Sequence, residues 1–531
     1  MFEYRNIIEP FLSNVRQNPG RVACVYEDSR VTYAELDALS ARIASAFASR
    51  GVRQGDRIAY LLPNRIELIA VYIAIQRIGA VAVPLNFRLI PREIAFLTNS
   101  VEARILVFDK EFQGRIVEAR GELSPSTGLI SVGKSTDFSE RLYDLEVERW
   151  GEEPPLYLEG GLSRIQFTGG TTGVPKGACR SHAADLTEIH AIMVSNEMLA
   201  MEHPVVLIQC PLEHHGGHSW FMSALSSNAT IIICGKFDAE GIFAQIDVHR
   251  ATHMILLPPT TYARLVRDGH AERYDLSSMR IVQSSAGSMT PEIVKAIFSV
   301  FPYAEINYGW GQSESGVGTS ARIGRDDYSP DDLRLESVGL PMETLEWRIV
   351  GADGTDVSGG EAGELLVRSP AIMDGYYLQP ELTRDAFVGG WLRTGDIMRA
   401  DKDGYLYLLS RVKDVIKSGG ENVFAGEVQA AILRNPLVAD CIVFGVPDDL
   451  MGEAVAAVVQ PVKGAILTED DIQNACRTYI ASYKKPRYIA FVDDLERDGA
   501  GKVRIDEAKK KLRCLKTTDT QEIIQNEEGS L

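Results

Sequence analysis

A chain of 531 residues, 45% hydrophobic and 24% charged, has the composition of a globular protein and exceeds the size of a single core, so two or more domains are expected. A net charge of −18 excludes nucleic acid or an anionic membrane surface as main partner, and leaves any anionic ligand to be held by backbone N–H groups and a few placed cations. No apolar run approaches the ~20 residues of a membrane span, Met1-Phe2-Glu3-Tyr4-Arg5 lacks a signal-peptide profile, and seven cysteines without a C-x-x-C pair suit a reduced, cytoplasmic setting.

Thr32 opens the first clear helix, with Glu35 three residues on to complete a capping box. Leu36, Leu39, Ile43, Ala46 and Phe47 then keep helical spacing. Residues 57–62 read as a strand, 66–78 as a helix, and 79–85 as a buried strand ended by Pro84. Strand, helix and strand in alternation predict a parallel sheet flanked by helices, an α/β fold.

Residues 164–167 end another strand, and from Ala183 onward the chain looks helical. Between them, Thr168-Gly169-Gly170-Thr171-Thr172-Gly173-Val174-Pro175-Lys176-Gly177 is rich in glycine and threonine. Glycines let a backbone turn its N–H groups onto an anion. Threonine hydroxyls and a lysine add donors, so the stretch suits a polyphosphate. It is not a Walker A loop, which needs Gly directly before the Lys where Pro175 stands, and it is not a G-x-G-x-x-G fingerprint.

Residues 205–210 form an apolar strand that leads into Pro211-Leu212-Glu213-His214-His215-Gly216-Gly217-His218. No second cluster of ligands supports a metal site at these histidines. The strand 281–285 runs into Ser285-Ala286-Gly287-Ser288-Met289, before a helix with Pro291 in its first turn. Small residues there leave room at the sheet end, where α/β folds bind ligands. Asn307-Tyr308-Gly309-Trp310-Gly311-Gln312-Ser313-Glu314 joins aromatics, which can stack on a purine, to a carboxylate, which can hold Mg²⁺ near phosphates.

Residues 361–377 alternate like strands of a smaller β unit. Thr394-Gly395-Asp396 follows, then a hairpin turn at 401–404 and a strand ending in Ser410-Arg411-Val412-Lys413-Asp414. Beyond it come a strand and tight turn (415–422), a helix burying Val428, Ala431 and Ile432, strands at 440–446 and 454–462, and a helix at 469–482. This tail makes a separate α+β domain of about 120 residues. Near its end Lys502 sits on a Gly-rich turn, 498–503. The last dozen residues, polar and acidic, are expected to be disordered.

The stretch 168–177 resembles the phosphate loop, T-[SG]-G-T-T-G-x-P-K-G, of the acyl-adenylate-forming superfamily of acyl- and aryl-CoA synthetases, peptide-synthetase adenylation domains and luciferases. Pro211-Leu212-Glu213-His214 is similar to its P-L-x-H-x-x-G, residues 285–289 loosely to its G-G-A-P-L, 308–314 to its Y-G-x-T-E, and 410–414 to its G-R-x-[DK]-D hinge. Motifs in family order from residue 32 to residue 502 cover nearly the whole chain.

The resemblance implies a large AMP-binding domain (1–410) and a small mobile domain (411–531). It implies an ATP-dependent acid–CoA ligase, with fatty acids among the candidate substrates, that uses ATP, Mg²⁺ and coenzyme A. It assigns the β- and γ-phosphates to Thr168, Gly169, Gly170, Thr171, Thr172, Gly173 and Lys176, and the metal to Thr171 and Glu314. Ala286, Gly287, Ser288, Tyr308, Gly309, Trp310, Gly311 and Ser313 would border adenine and the α-phosphate, and Asp396 and Arg411 the ribose. His214 and Ser285 fall to the acyl channel, and Lys417, Gly419, Gly420 and Glu421 to CoA. Lys502 would bridge carboxylate and α-phosphate, and Lys413 would be the pivot. A homodimer is a further expectation. Two other readings stay open: an enzyme that loads a carrier-protein thiol, and a non-catalytic nucleotide-binding regulator.

Overall fold

The computed structural model describes residues 4–133, 139–142, 156–168, 175–287, 289–326, 328–329, 332–357, 359–418, 421–448, 451–497 and 503–512. The Thr32 cap forms as its sequence dictates. Thr32 Oγ1 accepts from the Glu35 N–H at 3.2 Å and Glu35 Oε2 accepts from the Thr32 N–H at 2.8 Å, opening the helix Tyr33–Ser49. The next helix, Ile66–Arg77, is apolar on every side and is correspondingly buried on every side.

Two sheets enclose these helices. One has eight strands in the order Gly375–Tyr376, Lys176–Ser181, Leu162–Thr168, Val81–Pro84, Arg57–Leu61, Ile105–Asp109, Gly128–Val132 and Glu140–Arg141, parallel from the third strand onward. The other has nine strands, with the parallel set Val205–Ile208, His253–Ile255, Ile281–Ser285 and Glu305–Gly309 side by side. The largest core lies between them: Tyr60 and Ala82 from the first sheet and Val206 and Ile208 from the second share it with Ile69, Ile73 and Phe221. A five-stranded β unit follows (Glu346–Val350 through Leu406–Arg411). Beyond the 3₁₀ turn Val412–Asp414, residues from Ile416 onward build cores of their own, one of them around Val428, Ile432, Val443, Val459 and Ile472. Among the described residues no helix is long and apolar enough to cross a membrane.

One expectation is extended and one is corrected. The helix expected from Ala183 onward runs His182–Ser195, and between it and the glycine-rich stretch Lys176–Ser181 is a strand paired antiparallel with Leu162–Thr168, in register from Thr168 opposite Lys176. Gly375–Tyr376 does not belong to the smaller β unit; it adds to the edge of the eight-stranded sheet beside Cys179 and Ala178. Gly375 takes φ 147° there, and a Cβ would lie 2.5 Å from the Thr383 side chain, so only glycine makes this crossing without strain.

The hairpin is anchored by charge. Arg164 and Arg180 stand opposite each other on its two strands, both fully buried, and share Asp185 from the helix His182–Ser195. Arg164 Nε and Nη2 each donate to Asp185 at 3.1 Å, and Arg180 Nε donates at 3.0 Å. Arg180 Nη2 also donates to Glu188 Oε2 at 2.8 Å. Burial pushes the Asp185 carboxyl up, but the two guanidiniums more than offset it and hold the group well below the usual carboxylate range. Asp185 therefore contributes stability that is fully present above its unfolded value of about 3.9 and is lost as pH falls through the lower folded value. Asp185→Asn should cost about 3–5 kcal/mol in a urea melt at neutral pH, since it leaves two buried arginines short of charge. The deficit should shrink on acidification; a variant within 1 kcal/mol of the parent (about fivefold in the folding equilibrium) would show that the network is dispensable.

Candidate active site

A cavity of about 1500 Å³ lies where the two sheets, the β unit and the C-terminal residues meet. Its lining falls into three groups. The first comes from the ends of the hairpin and of the parallel strands: Thr168, Lys176, Ser285, Ala286, and Gly309 through Glu314, with Thr394, Gly395 and Arg411 through Lys413 across from them. The second is an inner lobe between the helices His182–Ser195 and His215–Ser226, where Ile192, Trp220, Ile255 and Val317 stand among Glu188, Asn196, Gln283, Asn307 and Ser320. The third, here the side lobe, is lined by the segment that follows Val81–Pro84 and by Arg497 and Val503 to Ile505, joined where Arg88 Nη1 donates to the Arg497 carbonyl at 3.2 Å; Glu213, beside Phe87 and Arg88, and His214 also line the cavity.

In the first group Glu314 Oε1 accepts from the Thr168 hydroxyl at 3.1 Å and from the Tyr376 hydroxyl at 3.2 Å. Lys176 Nζ sits 5.2 Å from the centre of the Tyr376 ring. Three segments distant in sequence thus converge on one carboxylate. Hydroxyl and carboxylate oxygens are the donor set of a hard divalent cation, so the residues present fit Mg²⁺.

Asp396 is the second polar centre. Its Oδ2 accepts from Trp310 Nε1 at 2.8 Å and from Gln312 Nε2 at 2.7 Å, while Arg411 Nε lies 3.2 Å from Oδ1. Gln312 Nε2 also reaches the Thr394 carbonyl at 2.9 Å. The Trp310 ring is buried against Gly318, where a Cβ would come within 2.6 Å of it. Gly309 is needed for the fold itself: a Cβ there would lie 2.2 Å from the Thr319 carbonyl of the neighbouring strand. Tyr308 is buried with its hydroxyl on the Gly287 carbonyl, and Ala286 takes the left-handed φ of 63°.

The three histidines go three ways. His214 immediately precedes the helix His215–Ser226, without a side-chain cap bond to it, and lines the cavity. His215 is buried, its Nδ1 2.9 Å from Arg164 Nη2 and its Nε2 2.9 Å from Glu188 Oε1. Arginine has no acceptor, so Nδ1 accepts and Nε2–H faces the carboxylate. Burial lowers the pKa of His215, which keeps the ring neutral. His218 is core, packed edge-on against Tyr72 and Phe221 at 4.6 and 5.1 Å.

The structure therefore brings together Thr168, Lys176, His214, Ser285, Ala286, Gly309, Trp310, Gly311, Ser313, Glu314, Arg411 and Lys413 on one cavity, with Tyr308, Gly287 and Asp396 directly behind it. Lys417 and Glu421 are exposed and do not line it. Residues 169–174, Ser288, Gly419, Gly420 and Lys502 lie outside the described residues. Sequence reasoning passed over Tyr376, Gln312, Glu188, Gln283 and Glu213. Tyr376 and Gln312 stand inside or beside motif stretches, a signal that could have found them. Glu188, mid-helix, gives none.

Residues 11–377 match the family model described as AMP-binding enzyme, and residues 427–502 match the AMP-binding enzyme C-terminal domain. The chain is 30% identical over 500 residues to a feruloyl-CoA synthase of an Amycolatopsis species, covering 94% of this chain and 97% of that protein. It is 31% identical over 498 residues to an indoleacetate–CoA ligase of Aromatoleum aromaticum, covering 92% and 95%. A solved anthranilate CoA ligase, AuaEII in complex with anthranoyl-AMP, superposes with a TM-score of 0.85 at 25% identity, covering 96% of this chain and 98% of that one.

Proposed function

We infer that this chain, which belongs to the AMP-binding enzyme family, is an ATP-dependent acid–CoA ligase. The observation that carries the reading is the single cavity lined by residues 168 and 176, 285–286, 309–314, 411–413 and 503–505, segments spread over most of the sequence. A carboxylate is a poor electrophile. Its oxygen attacks the α-phosphate of ATP, forming acyl-AMP and releasing pyrophosphate; the thiol of CoA then displaces AMP.

In this reading the stretch 168–177 holds the β- and γ-phosphates, and Lys502 bridges the reacting carboxylate and α-phosphate. Asp396 and Arg411 orient the ribose beside Trp310 and Ser313. Glu314, with Thr168 and Tyr376 on its carboxylate, would hold Mg²⁺, which when bound neutralises phosphate charge. Positioned cations and N–H donors are the main source of stabilisation for such a transition state. The small domain begins at residue 411 and turns about Lys413, on an exposed 3₁₀ turn with no buried side chain. The inner lobe's polar side chains favour a compact acid with a ring and a hydrogen-bonding group, such as the feruloyl and indoleacetyl acids of the relatives, over a long saturated chain. We also propose a cytoplasmic location, in keeping with six described cysteines that are all free, and a homodimer, to be read from mass by light scattering.

An AMP-release assay with ATP, CoA and ferulate, indoleacetate or palmitate tests the activity and its acid class. Turnover of an aryl acid is expected to exceed that of palmitate at least tenfold, and palmitate as the best acid would overturn the compact-acid reading. Lys502→Ala should slow acyl-AMP formation on the order of 10²–10³ while sparing thioester formation from pre-made acyl-AMP, because it removes one charge-stabilising donor. Lys413→Pro fixes φ near −65° and restricts Val412. Acyl-AMP formation should stay within about tenfold of the parent and thioester formation should be nearly lost; a proline variant making acyl-CoA at the parent's rate would show that no rotation is needed at 413.

A further inference from the structure

Buried carboxylates in this chain are as a rule matched. Asp185 has two arginines, and Glu188 has Arg180 and His215. Glu213 breaks the rule. It is 2% exposed, yet among the described residues neither carboxyl oxygen has a hydrogen-bond partner. Its backbone is held in place: Gln166 Nε2 donates to its carbonyl at 3.3 Å, the N–H of Leu212 is bonded to Asn64 Oδ1 at 2.8 Å, and the N–H of His214 to the Pro211 carbonyl at 3.1 Å. A carboxyl fixed so firmly and left without a partner costs stability, unless a ligand group completes it.

Glu213 lines the cavity beside Phe87 and Arg88, whose segment contributes Leu85, Leu89 and Ile90 to the side lobe. The nucleotide motifs occupy the first part of the cavity and the inner lobe suits the acid, so the side lobe is left for the third substrate. We propose that Glu213 takes the proton from the acceptor thiol in the second half-reaction, an assignment that rests on the acid–CoA ligase reading above. The first half-reaction needs no base, because the attacking carboxylate is already ionised. In the second, sulfur attacks the acyl carbon as its S–H bond breaks and the proton passes to a Glu213 oxygen. The C–S bond forms, the bond between the acyl carbon and the phosphate oxygen breaks, and AMP leaves with that electron pair. The proton returns to solvent once product departs.

The surroundings suit the task. Burial pushes the Glu213 carboxyl up to about 8. The nearby N–H groups of Glu213 and Phe87, outside hydrogen-bond geometry, and the Arg88 guanidinium pull the other way. Tyr60, from the strand Arg57–Leu61, and Cys210 face the same group, and burial raises both beyond the neutral range. A base near 8 lies close to the range in which thiols titrate, about 8.5 for a cysteine side chain.

The test uses the full-length enzyme, synthetic feruloyl-AMP and CoA, with ATP–pyrophosphate exchange as the readout of the first half-reaction. Glu213→Gln should slow thioester formation about a hundredfold, leave exchange within about threefold, and melt no lower than the parent. The ratio of parent to variant rates should be largest near pH 8 and narrow above pH 9, where free thiolate makes a base unnecessary. Glu213→Met serves as a second variant should the glutamine misfold, with the same expectations. Equal loss in both half-reactions, or a ratio constant with pH, would make Glu213 structural and overturn the proposal. So would an unimpaired thioester rate. If the parent enzyme itself formed no thioester, the ligase reading would fail, and the role of Glu213 with it.

Discussion

Arg164 and Arg180 lie opposite each other on adjacent strands, inside the protein, and each brings a guanidinium charge there. Two like charges in that position are tolerable only with a counter-charge between them. Asp185 supplies it, and Glu188 takes the remaining reach of Arg180. Through these contacts the hairpin, the helix His182–Ser195 and the start of the helix His215–Ser226 become one body. That body carries both ends of the glycine-rich stretch, one wall of the inner lobe and Glu213. Isolated buried ion pairs are weak sources of stability, but one that joins four elements fixes their relative positions.

How much of this was legible in the sequence depends on the range of each interaction. The Thr32 cap, the buried helix after residue 66 and the parallel strands were readable because local spacing encodes them. The strand Lys176–Ser181 was not. Its sequence, Lys-Gly-Ala-Cys-Arg-Ser, has no run of β-branched residues, and its burial rests on an arginine neutralised from another element. The two-residue strand Gly375–Tyr376 is set by a partner nearly two hundred residues upstream, which no local pattern announces. At the site, motif stretches pointed to Glu314, Trp310 and Asp396. They could not show that Trp310 and Gln312 both donate to Asp396, or that Tyr376 shares Glu314 with Thr168. Those contacts are tertiary, and they turn a set of motif residues into two organised polar centres.

The contrast between the two polar centres and the side lobe is informative. Glu314 and Asp396 are surrounded by donors before any ligand arrives, so little reorganisation is left for the moment of binding. Glu213 has no hydrogen-bond partner for its carboxyl among the described residues, and the bonds to its neighbouring backbone hold it in that position. A cavity that serves two successive reactions needs both kinds of group.

The short turn Val412–Asp414 is the one place where the chain passes from the cores of the large unit to those built after Ile416. A body on so short a tether stays beside the large unit whatever its orientation. A short flexible linker keeps its cargo at an effective concentration on the order of millimolar. Arg497 and Val503 to Ile505, which line the cavity, are therefore supplied to it by the same chain, whatever the abundance of the enzyme in the cell. Cutting the chain at this turn would convert that supply into an ordinary bimolecular encounter, dependent on concentration and lost on dilution.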